Sequence, residues 1–149
     1  MDDDGWDRIA WVDAGVTVGS RWSCDERGDL FDRRIHIQYP GQECVCKNQG
    51  PDDLHITLVE KQPLGFELMD KIAAFARKPG SIYVHCKAGM CRGPTVAVVC
   101  LVARYRQVGE AMGMVSDAMM SRYKWHPLVP EFDRKVITEI YEWNKQRVG

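Results

Sequence analysis

The chain has 149 residues, of which 28% are charged, and its formal net charge is −1. This length suits one domain with its own core, so we expect a single domain over residues 1–149. A net charge so close to zero argues against a nucleic-acid partner, and an anion would have to be recognised by a local site. The N-terminus has neither the basic start nor the apolar stretch of a secretory signal, and no apolar run is long enough to span a bilayer. We therefore expect a cytoplasmic protein that does not bind membranes.

The cysteines do not indicate a disulfide framework or a metal. There are six of them, but without a secretory signal reduced thiols are the expected state. Cys44 and Cys46 form an isolated C-x-C, and no second cysteine pair follows at the spacing of zinc ligands. His36, His55 and His126 also lack partners at ligand spacing and are expected to be structural. We expect no metal and no other cofactor.

Four segments have the residue patterns of β-strands. These are residues 15–19, 34–40, 54–59 and 81–85. Four further segments are predicted to be helical. These are residues 64–78, 95–101, 110–123 and 131–146. The first of these helices has apolar residues at helical spacing, and the second is apolar on nearly every side, as expected of a helix buried in a core.

Strands alternate with helices along the middle of the chain, and this order is typical of a mostly parallel sheet. We therefore predict an α/β fold with a central, mostly parallel sheet of four to five strands and helices on both faces. Ligands of such sheets bind at the carboxyl ends of the strands. The fourth predicted strand leads directly into the most informative segment of the sequence, residues 84–95.

Residues 85–95 read HCKAGMCRGPT, and this segment lies between a predicted strand and a predicted buried helix. In a loop of this kind, successive backbone N–H groups can form a nest for an anion. The N-terminus of the following helix adds partial positive charge at the same point. Gly89 permits a backbone conformation that a side chain would hinder. The segment is therefore predicted to bind phosphate.

Cys86 and Arg92 supply the two chemistries that such a loop needs. The same dipoles favour a thiolate at the base of the loop, and a thiolate can attack phosphorus. The planar guanidinium of Arg92 can hold two phosphate oxygens at once. Cys100 and Arg106 match the same C-x5-R spacing, but they lie in a helical stretch with no preceding histidine and no glycine between them. Spacing alone therefore does not identify the site, whereas the full context at Cys86 does.

The loop resembles that of the dual-specificity phosphatases, in the cysteine-dependent protein tyrosine phosphatase superfamily, whose usual form is HCxxGxxRS followed by Pro-Thr and an apolar helix. The resemblance implies that Cys86 forms a phosphocysteine intermediate, and that His85 supports the thiolate through hydrogen bonding. The residues implied in phosphate binding are Lys87, Ala88, Gly89, Met90, Cys91 and Arg92. Gly93 departs from the pattern, because the family usually has Ser or Thr there, whose hydroxyl hydrogen-bonds the cysteine sulfur. We therefore expect slow breakdown of the intermediate.

The family also uses a general acid, which protonates the leaving oxygen and is usually an Asp some way before the cysteine. Spacing favours Asp53 or Asp52 for this role. Topology favours Glu60, because residues 56–60 resemble the strand that carries the family's acid at its carboxyl end, and we prefer Glu60. A third alternative is that no acid exists, as in the related RNA 5′-triphosphatases.

The resemblance implies a phosphatase that hydrolyses phosphomonoesters on proteins, phosphotyrosine above all and phosphoserine or phosphothreonine as well. Its partner would be a phosphorylated protein substrate. Two alternatives stay open at this point. With Gly93 and no effective acid, the domain would be a phosphate-binding module with little turnover. The same scaffold would also suit an RNA 5′-triphosphatase or a phosphoinositide phosphatase.

Overall fold

The structure is a computed structural model, and it describes residues 9–13, 15–20, 24–25, 28–41, 46–59, 62–86, 92–104, 106–122 and 132–148. In chain order, the elements are β1 (Ile9–Asp13), β2 (Val16–Ser20), a 3-10 turn (Gly28–Leu30), β3 (Arg33–Gln38), β4 (Leu54–Thr57), α1 (Phe66–Arg77), β5 (Ile82–Cys86), α2 (Arg92–Ala103), α3 (Val108–Arg122) and α4 (Arg134–Val148). No helix in this described part of the chain has the length and apolar character needed to cross a membrane.

The described strands form one sheet in the order β1-β2-β5-β3-β4. β5 pairs in parallel with both β2 and β3, and β3 pairs in parallel with β4. β1 runs antiparallel to β2 at one edge of the sheet. The predicted mostly parallel sheet is therefore confirmed, and β5 lies at its centre. Sequence patterns did not predict β1, because an edge strand of five residues with one partner has too short a pattern to stand out.

The predicted helices are confirmed, with changes at their ends. α2 begins at Arg92, three residues before the predicted start at position 95, and α4 begins at Arg134 rather than at position 131. Apolar periodicity locates the buried stripe of a helix but says little about its terminal turns. The earlier start of α2 matters for function, because it brings the first turn of the helix closer along the chain to Cys86.

Side chains of a strand alternate between the two sides of a sheet. On one side, which we call the helix face, the three central strands carry buried apolar residues. They are Val16, Val18, Ile35, Ile37, Ile82 and Val84. These residues form one core cluster with apolar side chains from α1, α2, α3 and α4. α2 is apolar on nearly every side because it packs against β2, β5, α1 and α3.

The other side of the sheet, which we call the polar face, is also buried but carries polar and aromatic side chains. They are Arg34, His36, Tyr83 and His85. This face is covered by residues 24–25, 28–31 and 46–50, which we call the covering segments. Cys24, Phe31 and Cys46 of the covering segments pack against Tyr83. Within the described ranges, the helical residues on this face are positions 24–25 and the short turn Gly28–Leu30.

Two arginines fix the connection from α1 into β5. Arg33 donates a hydrogen bond to the carbonyl oxygen of Phe75 at 2.6 Å, and Arg104 donates to that of Ala76 at 2.7 Å. Carbonyl groups in the last turn of a helix have no partner within the helix, and the helix dipole favours positive charge there. These hydrogen bonds therefore fix the position of the chain at the start of β5, the strand that ends at Cys86.

Candidate active site

Cys86 is the last residue of β5, at the carboxyl end of the central strand. Its side chain lies on the helix face and is buried in the core cluster. α2 begins at Arg92, so a strand and a helix flank the predicted phosphate loop in the expected order. In parallel sheets this edge is where ligands bind. The fold therefore puts the predicted nucleophile at the edge of the sheet where ligands of parallel sheets bind.

Gly93 lies in the first turn of α2 and faces the Cys86 thiol. A Cβ atom added at Gly93 would lie 3.6 Å from Sγ of Cys86 and 3.3 Å from Cγ1 of Val18. A serine hydroxyl at position 93 would therefore reach the sulfur, which is the contact that the resemblance implies for the usual Ser or Thr. The positive end of the α2 dipole lies at the same place, and it would stabilise a bound anion.

Five of the predicted phosphate-binding residues lie outside the described residues. They are Lys87, Ala88, Gly89, Met90 and Cys91. Arg92 is described as the first residue of α2, but its side chain lies outside the described part. The preferred general acid, Glu60, also lies outside it. The roles of these residues stay predictions.

Asp53, an alternative candidate for the acid, is held by three partners. Its Oδ2 accepts hydrogen bonds from Arg34 Nε, His36 Nε2 and the backbone N–H of Gly50, each at 2.8 Å. Burial alone would raise the pKa of Asp53, but the hydrogen bonds from Arg34, Gly50 and His36 outweigh burial and lower that pKa. A carboxylate kept ionised in this way is a poor proton donor. These contacts give Asp53 a structural role, whereas its neighbour Asp52 is exposed in the turn.

His85 precedes Cys86 on β5, but its side chain lies on the polar face and is buried. Its Nε2 atom is 2.7 Å from Nδ1 of His36, and Nε2 of His36 is 2.8 Å from Oδ2 of Asp53. Burial lowers the pKa of His85, which keeps the ring neutral near pH 7. A chain of polar contacts thus ends at the residue beside the predicted nucleophile. Because His85 and Cys86 point to opposite faces, this chain would position Cys86 through the backbone of β5.

Two thiols lie beside the paired histidines. Cys24 and Cys46 of the covering segments bring their sulfur atoms close to ring nitrogens of His36 and His85, and the four atoms lie within 4.8 Å of one another. Hydrogen bonds from Cys24, and then from the two histidines, hold the pKa of Cys46 well below its usual value. These residues are far apart in the chain and no local spacing signals them, so the sequence did not predict the group.

Comparison with known proteins identifies the fold. No family model and no curated protein matches the sequence. The crystal structure of human DUSP28 is similar, with a TM-score of 0.73 and 15% identity over 95% of this chain and 96% of that one. PTPMT1 in complex with PI(5)P is similar, with a TM-score of 0.74 and 16% identity over 95% of this chain and 99% of that one. The human tyrosine phosphatase-like serine/threonine/tyrosine-interacting protein has a TM-score of 0.66 and 13% identity, over 95% and 98% of the two chains.

These similarities extend over nearly the whole of each chain, so they concern the architecture and not the loop alone. They agree with the resemblance of residues 85–95 to the loop of the dual-specificity phosphatases. The position of Cys86, between the end of the central strand and the first turn of α2, fits the same architecture. The chain has the fold of the cysteine-dependent protein tyrosine phosphatase superfamily, in its dual-specificity form.

Proposed function

We propose that the protein hydrolyses phosphomonoesters through a phosphocysteine intermediate on Cys86. The main substrate is phosphotyrosine on proteins, with phosphoserine and phosphothreonine as further substrates. The observation that carries the proposal is the position of the Cys86 thiol, at the carboxyl end of the central strand and beside the first turn of α2. A phosphate bound there meets a nucleophile and the positive end of a helix dipole together.

The reaction has two steps. In the first, the Cys86 thiolate attacks phosphorus, so that a P–S bond forms and the bond to the leaving oxygen breaks. Glu60 gives its proton to that oxygen. In the second step, water attacks phosphorus, its proton passes to Glu60, and the P–S bond breaks to restore the thiolate. Arg92 and the backbone N–H groups of the loop hold the phosphate oxygens throughout.

The choice of Glu60 as the acid rests on topology. β4 runs parallel to β3, which pairs in parallel with β5, so the chain after Thr57 leaves the sheet at the same edge as Cys86. Asp53 comes before β4 and is already engaged by Arg34 and His36. A residue after β4 is therefore better located than one before it.

The experiment that tests the nucleophile is p-nitrophenyl phosphate hydrolysis by the wild type, Cys86→Ser and Cys100→Ser. We expect the Cys86 variant to lose activity by roughly 10⁴-fold or more. Cys100 is the matched control because it has the same C-x5-R spacing but lies inside α2, where burial raises its pKa to about 12. The Cys100 variant should retain activity. Equal rates for the wild type and Cys86→Ser would refute the proposal.

The acid is tested on a phosphotyrosine peptide, because its leaving group needs a proton more than p-nitrophenolate does. Glu60→Gln should lower kcat on the peptide about 10²-fold and affect p-nitrophenyl phosphate much less. Asp52→Asn is the control, since Asp52 is exposed. A loss of kcat in the Asp52 variant, with Glu60→Gln unaffected, would reverse the assignment.

A second candidate function is capture of phosphorylated proteins with little turnover. The observation that favours it is Gly93, which faces the Cys86 sulfur and itself carries no hydroxyl. One of the similar structures is that of a protein named as phosphatase-like and as an interacting protein. Tight binding of a phosphopeptide by a wild type that shows no turnover would favour this function over hydrolysis.

A further inference from the structure

Four buried side chains converge on the polar face, behind the end of β5. They are Cys24, His36, Cys46 and His85. One atom from each, a sulfur or a ring nitrogen, lies within 4.8 Å of every other. None of the four residues is more than 4% exposed. Apolar side chains would fill this space without the penalty of burying polar groups, so the concentration of donor atoms requires an explanation.

The donor set is two sulfurs and two imidazole nitrogens. A tetrahedral group of two thiolates and two imidazoles is a preferred ligand set of zinc in structural sites. With Zn–N bonds of about 2.0 Å and Zn–S bonds of about 2.3 Å, tetrahedral ligands lie about 3.3–3.8 Å apart. The limit of 4.8 Å in this group exceeds that range by about 1 Å. Small side-chain rotations would therefore complete the geometry.

The two histidines already direct one nitrogen each at the same point. His36 Nδ1 and His85 Nε2 are 2.7 Å apart, which is a hydrogen bond in which one ring donates to the other. Two nitrogens on one zinc ion lie about 0.6 Å further apart than this. An ion would take the place of this hydrogen bond: the proton on Nε2 of His85 would move to Nδ1 of the same ring, so that both rings stay neutral and each offers one lone pair to the metal.

The second ring nitrogen of His36 has the partner that zinc-bound histidines usually have. Its Nε2 atom is 2.8 Å from Oδ2 of Asp53. A histidine ligand commonly donates its other N–H to a carboxylate, which fixes the tautomer and the ring orientation. With Nε2 protonated toward Asp53, Nδ1 offers its lone pair to the group of four. Arg34 holds Asp53 in turn, with Nε 2.8 Å from Oδ2.

The covering segments have little regular structure of their own, and hydrogen bonds from Arg34 of β3 hold one of these segments to the sheet. Asn48 supplies one link between them, since its Nδ2 donates to the carbonyl oxygen of Cys24 at 2.5 Å. The sulfur atoms of Cys24 and Cys46 lie 4.0 Å and 3.7 Å from the carbonyl oxygen of Asn48. A metal ion would join both sulfurs to β3 and β5 at once, and such sites add directly to folding free energy.

We propose that Cys24, His36, Cys46 and His85 form a structural zinc site. The ion holds the covering segments on the polar face and, through His85, fixes the end of β5 from which Cys86 projects to the other side. None of the four side chains contacts the phosphate in the proposed reaction, so the zinc proposal does not depend on the proposed function. The expectation of no metal rested on the spacing of cysteines and histidines along the sequence, whereas these four ligands come from four separate parts of the chain.

The first test is the metal content of the full-length protein, purified without chelator from zinc-supplemented cells and measured by mass spectrometry. We expect about one zinc ion per chain. Cys24→Ser and Cys46→Ser should each lose it. Cys100→Ser is the control, because Cys100 is also buried but lies in the core cluster of the helix face, away from the four proposed ligands. A full zinc content in both Cys24→Ser and Cys46→Ser would overturn the proposal.

The second test does not depend on whether a variant folds. Wild-type protein is stripped with a chelator under reducing conditions and titrated with Co²⁺. We expect saturation at about one equivalent, with thiolate charge-transfer absorption and the strong visible bands of tetrahedral cobalt, and a rise in Tm when Zn²⁺ replaces Co²⁺. Weak octahedral bands, no binding by reduced protein, or a Cys24–Cys46 disulfide in protein isolated under reducing conditions would each overturn the proposal.

Discussion

The two faces of the central sheet are built from alternate residues of the same strands, yet they are stabilised differently. On the helix face, Ile35 and its neighbours bury apolar side chains under the helices. On the polar face, Arg34 and His36, which flank Ile35, are buried with Asp53 as their shared partner. Apolar burial contributes roughly in proportion to area. Buried polar groups contribute only while every partner is present, so the polar face should tolerate substitution less well.

His85 and Cys86, the last two residues of β5, lie on opposite faces of the sheet and show the same contrast. Cys86 lies buried on the helix face, beside the first turn of α2. His85 lies on the polar face, in contact with His36. One strand thus carries the proposed nucleophile on one side and a buried, hydrogen-bonded histidine on the other.

The largest expected effect of a single substitution on stability is that of Asp53→Asn, measured on chelator-treated protein so that any metal does not contribute. Asparagine keeps the size of the side chain but removes the charge that faces Arg34 and His36. Removing one partner of a buried charge pair should lower the free energy of unfolding by about 3 kcal/mol. Urea unfolding measures the change.

The control for this prediction is Asp52→Asn, one residue earlier and exposed. Its unfolding free energy should stay within about 0.5 kcal/mol of the wild-type value. Equal losses in the two variants would show that the polar face does not depend on its buried carboxylate, and the contrast between the faces would be wrong.

The contrast also explains what sequence analysis predicts well. The helix face follows from periodicity, since alternation in the strands and helical spacing in residues 64–78 report local burial. The Cys86 motif is likewise local, because its residues are consecutive. The polar face depends on residues such as Cys24 and His36, which meet His85 only after the sheet has formed. No local pattern indicates that these residues come into contact. The spacing that favours Asp53 as the acid likewise does not indicate its ion pair with Arg34.

Glu139 of α4 makes polar contacts among the helices that cover the helix face, so it shows how much such contacts add to apolar burial there. Its carboxylate accepts hydrogen bonds from the backbone N–H groups of Leu64 and Gly65, at 2.8 Å and 2.9 Å. Gly65 is the N-cap of α1, and no side chain at that position caps the helix. Glu139→Ala should lower the free energy of unfolding by about 2 kcal/mol, because hydrogen bonds to a charged group are lost at a helix N-terminus.

Glu142→Ala is the matched control for Glu139, since Glu142 is exposed on the same helix. Thermal unfolding of both variants measures the difference. A loss for Glu139→Ala no larger than that for Glu142→Ala would mean that the helix face is stabilised by apolar burial alone, including at the start of α1.

The substitution Gly93→Ser tests the proposed breakdown of the phosphocysteine intermediate at Cys86. A serine there would bring a hydroxyl to the Cys86 sulfur, which should speed breakdown of the phosphocysteine intermediate. We expect the steady-state rate to rise about tenfold, or about 1.4 kcal/mol, with the initial burst unchanged. Gly93→Ala is the control, because it adds the same Cβ, 3.3 Å from Cγ1 of Val18, without the hydroxyl. Equal steady-state rates for the serine and alanine variants would show that the hydroxyl does not limit turnover.

The smallest effect is expected for Ile35→Val, and it completes the comparison of the two faces within three consecutive residues. Ile35 is fully buried on the helix face, between Arg34 and His36 of the polar face. Losing one methylene from an apolar core should lower the free energy of unfolding by about 1 kcal/mol. Urea unfolding of this variant beside Asp53→Asn therefore compares the two sides of β3 directly. If Ile35→Val lowers the free energy of unfolding as much as Asp53→Asn does, stability depends as strongly on apolar packing on the helix face as on hydrogen bonding on the polar face. The proposed contrast between the two faces would then be wrong.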